Sequence, residues 1–133
     1  MSETFLSALK EGDVKKVELL LKDSRVDPAA DDNEAIRWAS LYGHSEVVKL
    51  LLKDSRVNPA VEDNEAIRWA SVRGHLEVVK LLLADKRVGE EKVNPADDNN
   101  AAIRWASENG HTEVVKLLLA DERVNPEIGR AHV

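Results

Sequence analysis

The stretch Asn33-Glu34-Ala35-Ile36-Arg37-Trp38-Ala39-Ser40 decides the fold of this chain, because the chain repeats it twice. Residues 64–71 are identical to it, and residues 100–107 differ from it only at Ala101. Two residues after each copy comes Gly-His, and a Glu-Val-Val-Lys-Leu-Leu-Leu run follows. Repetition of this kind indicates a stack of small units that bury their apolar faces against one another.

The spacing of equivalent residues gives the period. Ile36 precedes Ile67 by 31 residues, and Ile67 precedes Ile103 by 36. A more divergent unit comes first, because Gly12 lies 31 residues before Gly43. We therefore predict one domain over residues 1–133, with units at about 1–30, 31–61, 62–97 and 98–127 and a tail at 128–133.

Each unit is predicted to hold two helices, which makes the fold class all-α. The first helix is expected to begin at a capping asparagine, whose side chain accepts a hydrogen bond from a free backbone N–H, and to end at a glycine. The asparagines are Asn33, Asn64 and Asn100, and the glycines are Gly43, Gly74 and Gly110. The second helix is expected at about 45–53, 76–84 and 112–120, before a Pro-containing segment that no helix can continue.

The Gly-His-x-Glu-Val-Val-Lys-Leu-Leu-Leu run followed by Val-Asn resembles the ankyrin repeat, and the resemblance extends from residue 3 to about 127. The family's Thr-Pro-Leu-His signature is missing, and the Glu34–Ser40 segment stands in its place. The units are also shorter than the usual ~33 residues. Tetratricopeptide, HEAT and armadillo repeats fit the spacing less well. The resemblance implies a solenoid of stacked helix-turn-helix units joined by extended or hairpin-like connectors.

Composition argues against several classes of function. The net charge is −6, which disfavours nucleic-acid binding. There is no cysteine, hence no disulfide framework, and no apolar run suits a signal peptide or a membrane span, so we expect a cytoplasmic protein without membrane contact. Acidic pairs recur in the connectors. They form either an acidic edge or simple solubilising charge near helix N-termini; the pairs are Asp31-Asp32, Glu62-Asp63 and Asp97-Asp98.

No residue pattern indicates catalysis, a cofactor or a metal. His44, His75 and His111 recur once per unit, about 10 Å apart along a helix stack, whereas zinc needs ligands at about 2 Å. We expect these histidines to satisfy backbone groups locally, in the turn between the two helices. The serines also recur once per unit, whereas an active site is a single asymmetric place, so we expect no enzyme.

Two further rows of residues recur with the first helix. Trp38, Trp69 and Trp105 are expected to pack between first helices, with an aromatic binding face as the alternative. We expect the arginines that precede them to pair with Glu or Asp of the neighbouring unit. These are Arg37, Arg68 and Arg104.

Positions that differ between units are free to serve a partner. They lie just before the glycine of each unit, and they are Leu41, Tyr42, Val72, Arg73, Glu108 and Asn109. Tyr and Arg are common among residues that dominate binding energy. The ankyrin resemblance implies that these positions line a concave face that contacts a protein partner.

The third connector carries five extra residues, because Val57 follows Leu52 by 5 whereas Val93 follows Leu83 by 10. We place the insertion at Gly89-Glu90-Glu91-Lys92-Val93. It is either a further binding loop or a tolerated surface insertion.

The last unit shows no polar replacements on its second helix, so we expect a partly exposed apolar end face. A partner, a homodimer contact or a missing neighbouring unit would explain it, and so would a tail folded back through Ile128 and Val133.

Two other roles stay open. The near-identity of the units also fits a structural or engineered scaffold with no target. The ankyrin resemblance further implies that the Val-Asn asparagines could be hydroxylation substrates; these are Asn58, Asn94 and Asn125.

Overall fold

A computed structural model of the chain describes residues 3–87, Gly89 and residues 92–124. Within this part the regular structure is α-helical, and the connectors form turns rather than strands. The eight helices described are α1 (Glu3–Glu11), α2 (Val14–Leu21), α3 (Ala30–Tyr42), α4 (Ser45–Leu52), α5 (Val61–Val72), α6 (Leu76–Ala84), α7 (Asp97–Glu108) and α8 (Thr112–Leu119). The predicted all-α class is therefore confirmed, and the second helices end within one residue of the predicted bounds.

The helices pair within units and stack between them. First helices form one layer, in which α1 packs on α3, α3 on α5 and α5 on α7. Second helices form the other layer, in which α2 packs on α4, α4 on α6 and α6 on α8. Each unit therefore contacts its neighbours, as the repeat predicts.

The core lies between the two layers and is built from small and aliphatic side chains. First helices contribute an Ala-Ile-x-x-Ala pattern at Ala35, Ile36 and Ala39, and these residues are fully buried. Second helices contribute Val47, Val48 and Leu51. Burying a side chain such as Leu51 or Ile36 stabilises the fold by about 1.5–3 kcal/mol.

The right-handed part of α3, α5 and α7 begins directly after the predicted asparagine, but an unpredicted left-handed turn precedes it. Asp31, Asp32 and Asn33 have φ values of 55°, 55° and 56°, so the first turn of α3 is left-handed and the right-handed helix begins at Glu34. The same turn opens α5 at 62–64 and α7 at 98–100. Left-handed backbone costs roughly 1–2 kcal/mol per residue, so other contacts must hold these turns.

For Asn33 and Asn64, the predicted role as helix caps is wrong. Asn33 Oδ1 accepts a hydrogen bond from the backbone N–H of Asn58 in the next unit, at 2.7 Å. Asn64 Oδ1 accepts in the same way from the N–H of Asn94, at 2.8 Å. These side chains therefore join one unit to the next, and the helix ends are left without a side-chain cap.

Candidate functional site

The six predicted partner-binding residues lie at the C-terminal ends of α3, α5 and α7 and the positions just after them. Since these helices pack side by side, equivalent residues form two rows across the stack. Tyr42 is 42% exposed, and Arg73, Glu108 and Asn109 are exposed as well. Leu41 and Val72 are half-buried. We call the exposed side of these helices, residues 31–42, 62–73 and 98–109, the first-helix face.

An aromatic cluster lies where α3 contributes to this face, near the C-terminal end of that helix. The rings of Trp38 and Tyr42 stack with centroids 5.7 Å apart, and the ring of His44 lies 6.1 Å from that of Tyr42. The Lys10 ammonium lies 5.0 Å from the centroid of the Trp38 ring, and the Trp38 indole N–H donates to Glu34 Oε1. These contacts hold Trp38 and Tyr42 in place, so their exposed surface is pre-organised for binding.

The expectation that the tryptophans fill the space between first helices is wrong. Trp38 and Trp105 are half-buried and Trp69 is 37% exposed, so the three rings form a surface row. The physical reason is that alanine and isoleucine already fill the interior, where Ile36 and Ile67 are at most 1% exposed. The tryptophans therefore form an aromatic surface row, and binding through this row stays a prediction.

The arginine row lies beside the tryptophans. Arg37 Nη1 lies 3.4 Å from Glu65 Oε1, and Arg68 Nη1 lies 3.8 Å from Asp98 Oδ2. The predicted pairing with the neighbouring unit is therefore confirmed for these two arginines. Exposed ion pairs of this kind add little stability.

The same arginines have a second role that the sequence did not reveal. The Arg37 guanidinium donates from Nε to the carbonyl of Asp32 and from Nη2 to that of Asp31, at 3.1 and 2.9 Å. Arg68 and Arg104 bind the carbonyls five and six residues before them in the same way. Each arginine thus holds a left-handed turn in place, and the acidic side chains of that turn remain exposed.

The histidines join units instead of acting locally within one turn, which corrects the prediction. His75 Nε2 lies 2.9 Å from the carbonyl oxygen of Leu41, and His111 Nε2 lies 3.0 Å from that of Val72. His44 contacts the carbonyl of Lys10 at 2.7 Å. Leu41 and Val72 are themselves predicted site residues. His75 and His111 therefore each fix the end of a helix that carries part of the predicted site.

A second ladder joins the units on the connector side. Arg56, Arg87 and Arg123 each bind a carbonyl of the preceding unit, and each is held by the aspartate two residues before it. The hydrogen bond from Arg56 lowers the pKa of Asp54, and that from Arg123 lowers the pKa of Asp121. The repeated Asp-x-Arg-Val sequence was the signal for this ladder.

The predicted insertion loop lies only partly in the described residues. Gly89 and Lys92 are exposed, whereas Glu90 and Glu91 lie outside the described residues. Val93 is 1% exposed and takes the core position that Val57 holds in the preceding unit. Val93 is therefore part of the packed stack and is not available to a partner.

The last helix is partly exposed, in agreement with the predicted apolar end face, since Val115 is half-buried whereas its equivalents Val48 and Val79 are fully buried. Val114 and Leu118 are buried, whereas Leu119 is 44% exposed. The predicted contacts of Ile128 and Val133 lie outside the described residues, as does Asn125.

Other kinds of site find little support in the described part of the chain. It contains no group of His, Asp or Glu side chains that could hold a metal ion. A membrane-crossing helix is also absent there, because none of its helices combines the necessary length and apolar character. A cavity of about 510 Å³ opens beside α1 and is lined by Phe5, Leu20 and Arg25 among others. Its lining includes neither Tyr42 nor any of the three tryptophans.

Comparison with known families identifies the repeat. Residues 56–129 match a family model of ankyrin repeats in three copies. Residues 34–64 match a single ankyrin repeat. The comparison with curated proteins gives no match. The matched segments hold the Gly-His turns, the aliphatic second helices and the Val-Asn connectors that build the stack, and this chain therefore belongs to the ankyrin repeat family.

Proposed function

We propose that the chain is a non-catalytic module that binds a protein partner through its first-helix face. Ankyrin repeats generally serve protein–protein interaction. The observation that supports this face most strongly is the cluster of Trp38, Tyr42 and His44, in which the rings stack and Tyr42 is 42% exposed beside two half-buried rings. Arg73 and Val72 continue the surface on α5, and Glu108 with Asn109 continues it on α7.

The division of labour among residues supports the same proposal. Residues shared by the units are occupied in joining them, as in the histidine, asparagine and Asp-x-Arg contacts. Residues that vary have few such duties, since the side chains of Tyr42 and Arg73 are exposed at equivalent positions of adjacent helices. A partner can therefore contact the varied residues without disturbing the stack.

The test compares capture of proteins by the wild-type chain and by the double variant Tyr42→Ala/Arg73→Glu. We expect a partner that is retained by the wild type to be lost with the variant, while helical content by circular dichroism is unchanged. The control is Lys22→Ala/Lys49→Glu, two exposed lysines on the other layer, which should retain the partner. Equal capture by both variants would exclude the first-helix face.

Self-association through the C-terminal unit is a second candidate, favoured by the exposure of Leu119. Its equivalents Leu52 and Leu83 are half-buried, and the next unit's arginine binds the carbonyl of each. We expect Leu119→Glu to weaken any concentration-dependent dimer in analytical ultracentrifugation. Leu118→Glu is unsuitable, because Leu118 is fully buried and a charge there would unfold the helix pair. A monomer at all concentrations would exclude this candidate.

A further inference from the structure

The three repeated tryptophans differ in what covers their rings. Lys10 lies over Trp38, and the Arg68 guanidinium carbon lies 5.6 Å from the centroid of Trp105. Trp69 has no cation over its ring among the described residues, and it is the most exposed of the three at 37%. The middle ring of the row is therefore open where its two neighbours are each covered by a cation from the preceding unit.

Two sequence differences between the units explain why. Arg37 is the equivalent of Arg68 and could cover Trp69, but it is drawn to Glu65, 3.4 Å away. Ala101 stands in the place of Glu65 in the last unit, so Arg68 pairs at 3.8 Å with Asp98 instead and lies over Trp105. The position of Lys10 is occupied by Leu41 in the second unit. Both sources of an internal cation are thus unavailable to Trp69.

The charge around this row favours a cation from outside. Residues 31–38, 62–69 and 97–105 hold eight carboxylates and three guanidiniums, a net charge of −5 in a chain of −6. The three guanidiniums are bound to backbone carbonyls, whereas the acids of the left-handed turns are exposed. Arg73, one turn beyond Trp69 on α5, limits the negative potential on that side.

We propose that Trp69 binds an arginine or lysine side chain of the protein partner, so the partner presents a basic surface to this face. The inference rests on the proposed function and adds the chemistry of the partner. A cation above an indole face is attracted by the ring quadrupole, and tryptophan is the strongest of the aromatic side chains in this contact. The chain itself makes this contact at Trp38 and Trp105, the two equivalent rings.

The first experiment titrates the chain with an acetylated tetra-arginine amide and follows the three indole N–H signals by NMR. Single Trp→Phe variants assign the signals. We expect the Trp69 signal to move most and to saturate, and we expect Trp69→Ala to weaken binding about twofold to fivefold. Trp105→Ala, whose ring is already covered, should change the affinity less. An equal response to the tetra-citrulline peptide, which is neutral, would overturn the proposal.

A second pair of variants tests the mechanism without touching the tryptophan. Glu65→Ala should free Arg37 to cover Trp69, as Arg68 covers Trp105, and so weaken binding of the tetra-arginine peptide. Asp63→Asn removes the same charge but leaves the Arg37–Glu65 pair intact, and Asn99 already stands at the equivalent position. If both variants weaken peptide binding equally, the loss of one negative charge explains the effect. That result would contradict a cation site at Trp69.

Failure of this inference is distinct from failure of the proposed function. If a captured partner is lost with Tyr42→Ala/Arg73→Glu but kept by Trp69→Ala, the first-helix face binds and the cation site is wrong. If the tetra-arginine peptide binds at Trp69 and no captured protein depends on the face, the cation site stands and the proposed function is wrong.

Discussion

At the scale of single residues, the glycine that ends a first helix adopts a positive φ, and where another unit follows it also leaves room for that unit's histidine. Gly43 has φ of +74°, and a Cβ built there would lie 2.5 Å from Nδ1 of His75. Gly110 has nearly the same φ, +73°, but no described atom lies within 4 Å of its Cβ position. Both glycines therefore need a positive φ, but only Gly43 also needs space for a histidine of the next unit.

We predict that Gly43→Ala destabilises the chain more than Gly110→Ala does. The left-handed conformation alone costs alanine roughly 1–2 kcal/mol, and at Gly43 the displaced histidine also loses its bond to Leu41. Urea unfolding of the two variants, followed by circular dichroism, measures the difference in free energy of unfolding. Equal losses would show that the histidine contact contributes nothing.

His75 gives the stability of the chain a dependence on pH. Burial lowers the pKa of its imidazole below the usual 6.5, although the bond to the Leu41 carbonyl opposes the shift. Because the folded pKa is the lower one, the unfolded chain takes up a proton first as the pH falls. The contribution is therefore complete above pH 6.5 and is lost as the pH falls from there through the folded pKa.

We expect the wild type to lose stability between about pH 7.5 and about pH 5.5, and His75→Gln to lose less over the same interval. Urea unfolding at the two pH values checks this. The aspartates with lowered pKa, such as Asp54 and Asp121, titrate from about 3.8 downward and lie below this window. A wild type that gains stability on acidification would contradict the assignment.

At the scale of elements, the left-handed turn that opens α3, α5 or α7 depends on one arginine. Arg37 bridges the carbonyls of Asp31 and Asp32 with two different nitrogens of its planar guanidinium. A lysine keeps the charge but has no fork with which to reach both acceptors. Arg37 thus stabilises a strained turn at the start of its own helix.

We predict that Arg37→Lys lowers the free energy of unfolding by about 1–2 kcal/mol, since hydrogen bonds from a charged donor are worth more than neutral ones. Arg73→Lys is the matched control, because the Arg73 side chain makes no bond within the described residues, and it should change little. Thermal or urea unfolding of both variants gives the comparison. A loss as large for Arg73→Lys would show that the effect is not due to the turn.

The helices could be predicted from the sequence, and the turns between them could not. Aliphatic runs and the Gly-His boundary determine the second helices through local periodicity, so their limits agree with the structure to within one residue. The role of Asn33 depends on an N–H group 25 residues away, on Asn58. A cap and an inter-unit bond use the same side-chain oxygen, so residue type alone does not distinguish them.

The tryptophans illustrate the same limit at the candidate site. Their repetition predicted a structural or binding row, but whether an indole is buried depends on how closely α3 and α5 approach. The positions of Tyr42 and Arg73 were predictable, because variation between units identifies residues that the stack does not need. The open ring of Trp69 could not be predicted. It results from Arg37 pairing with Glu65 where it could otherwise lie over the indole.

At the scale of the whole molecule, different surfaces of the stack have different roles. Repeated contacts along the connectors and between the helix layers join each unit to the next, and the first-helix face stays available. The described residues include exposed large apolar side chains on different surfaces, from 37% exposed at Trp69 to 66% at Leu19. These are Tyr42 and Trp69 on the first-helix face, Leu19 on the first unit's second helix and Leu119 on the last.

These four side chains make hydroxyl-radical footprinting of the chain with its captured partner the most direct test of binding through the first-helix face. Oxidation of Tyr42 and Trp69 should fall on complex formation, while oxidation of Leu19 and Leu119 should stay as in the free chain. Protection of Leu119 or Leu19 with Tyr42 and Trp69 still reactive would contradict the account and place the partner on the end units.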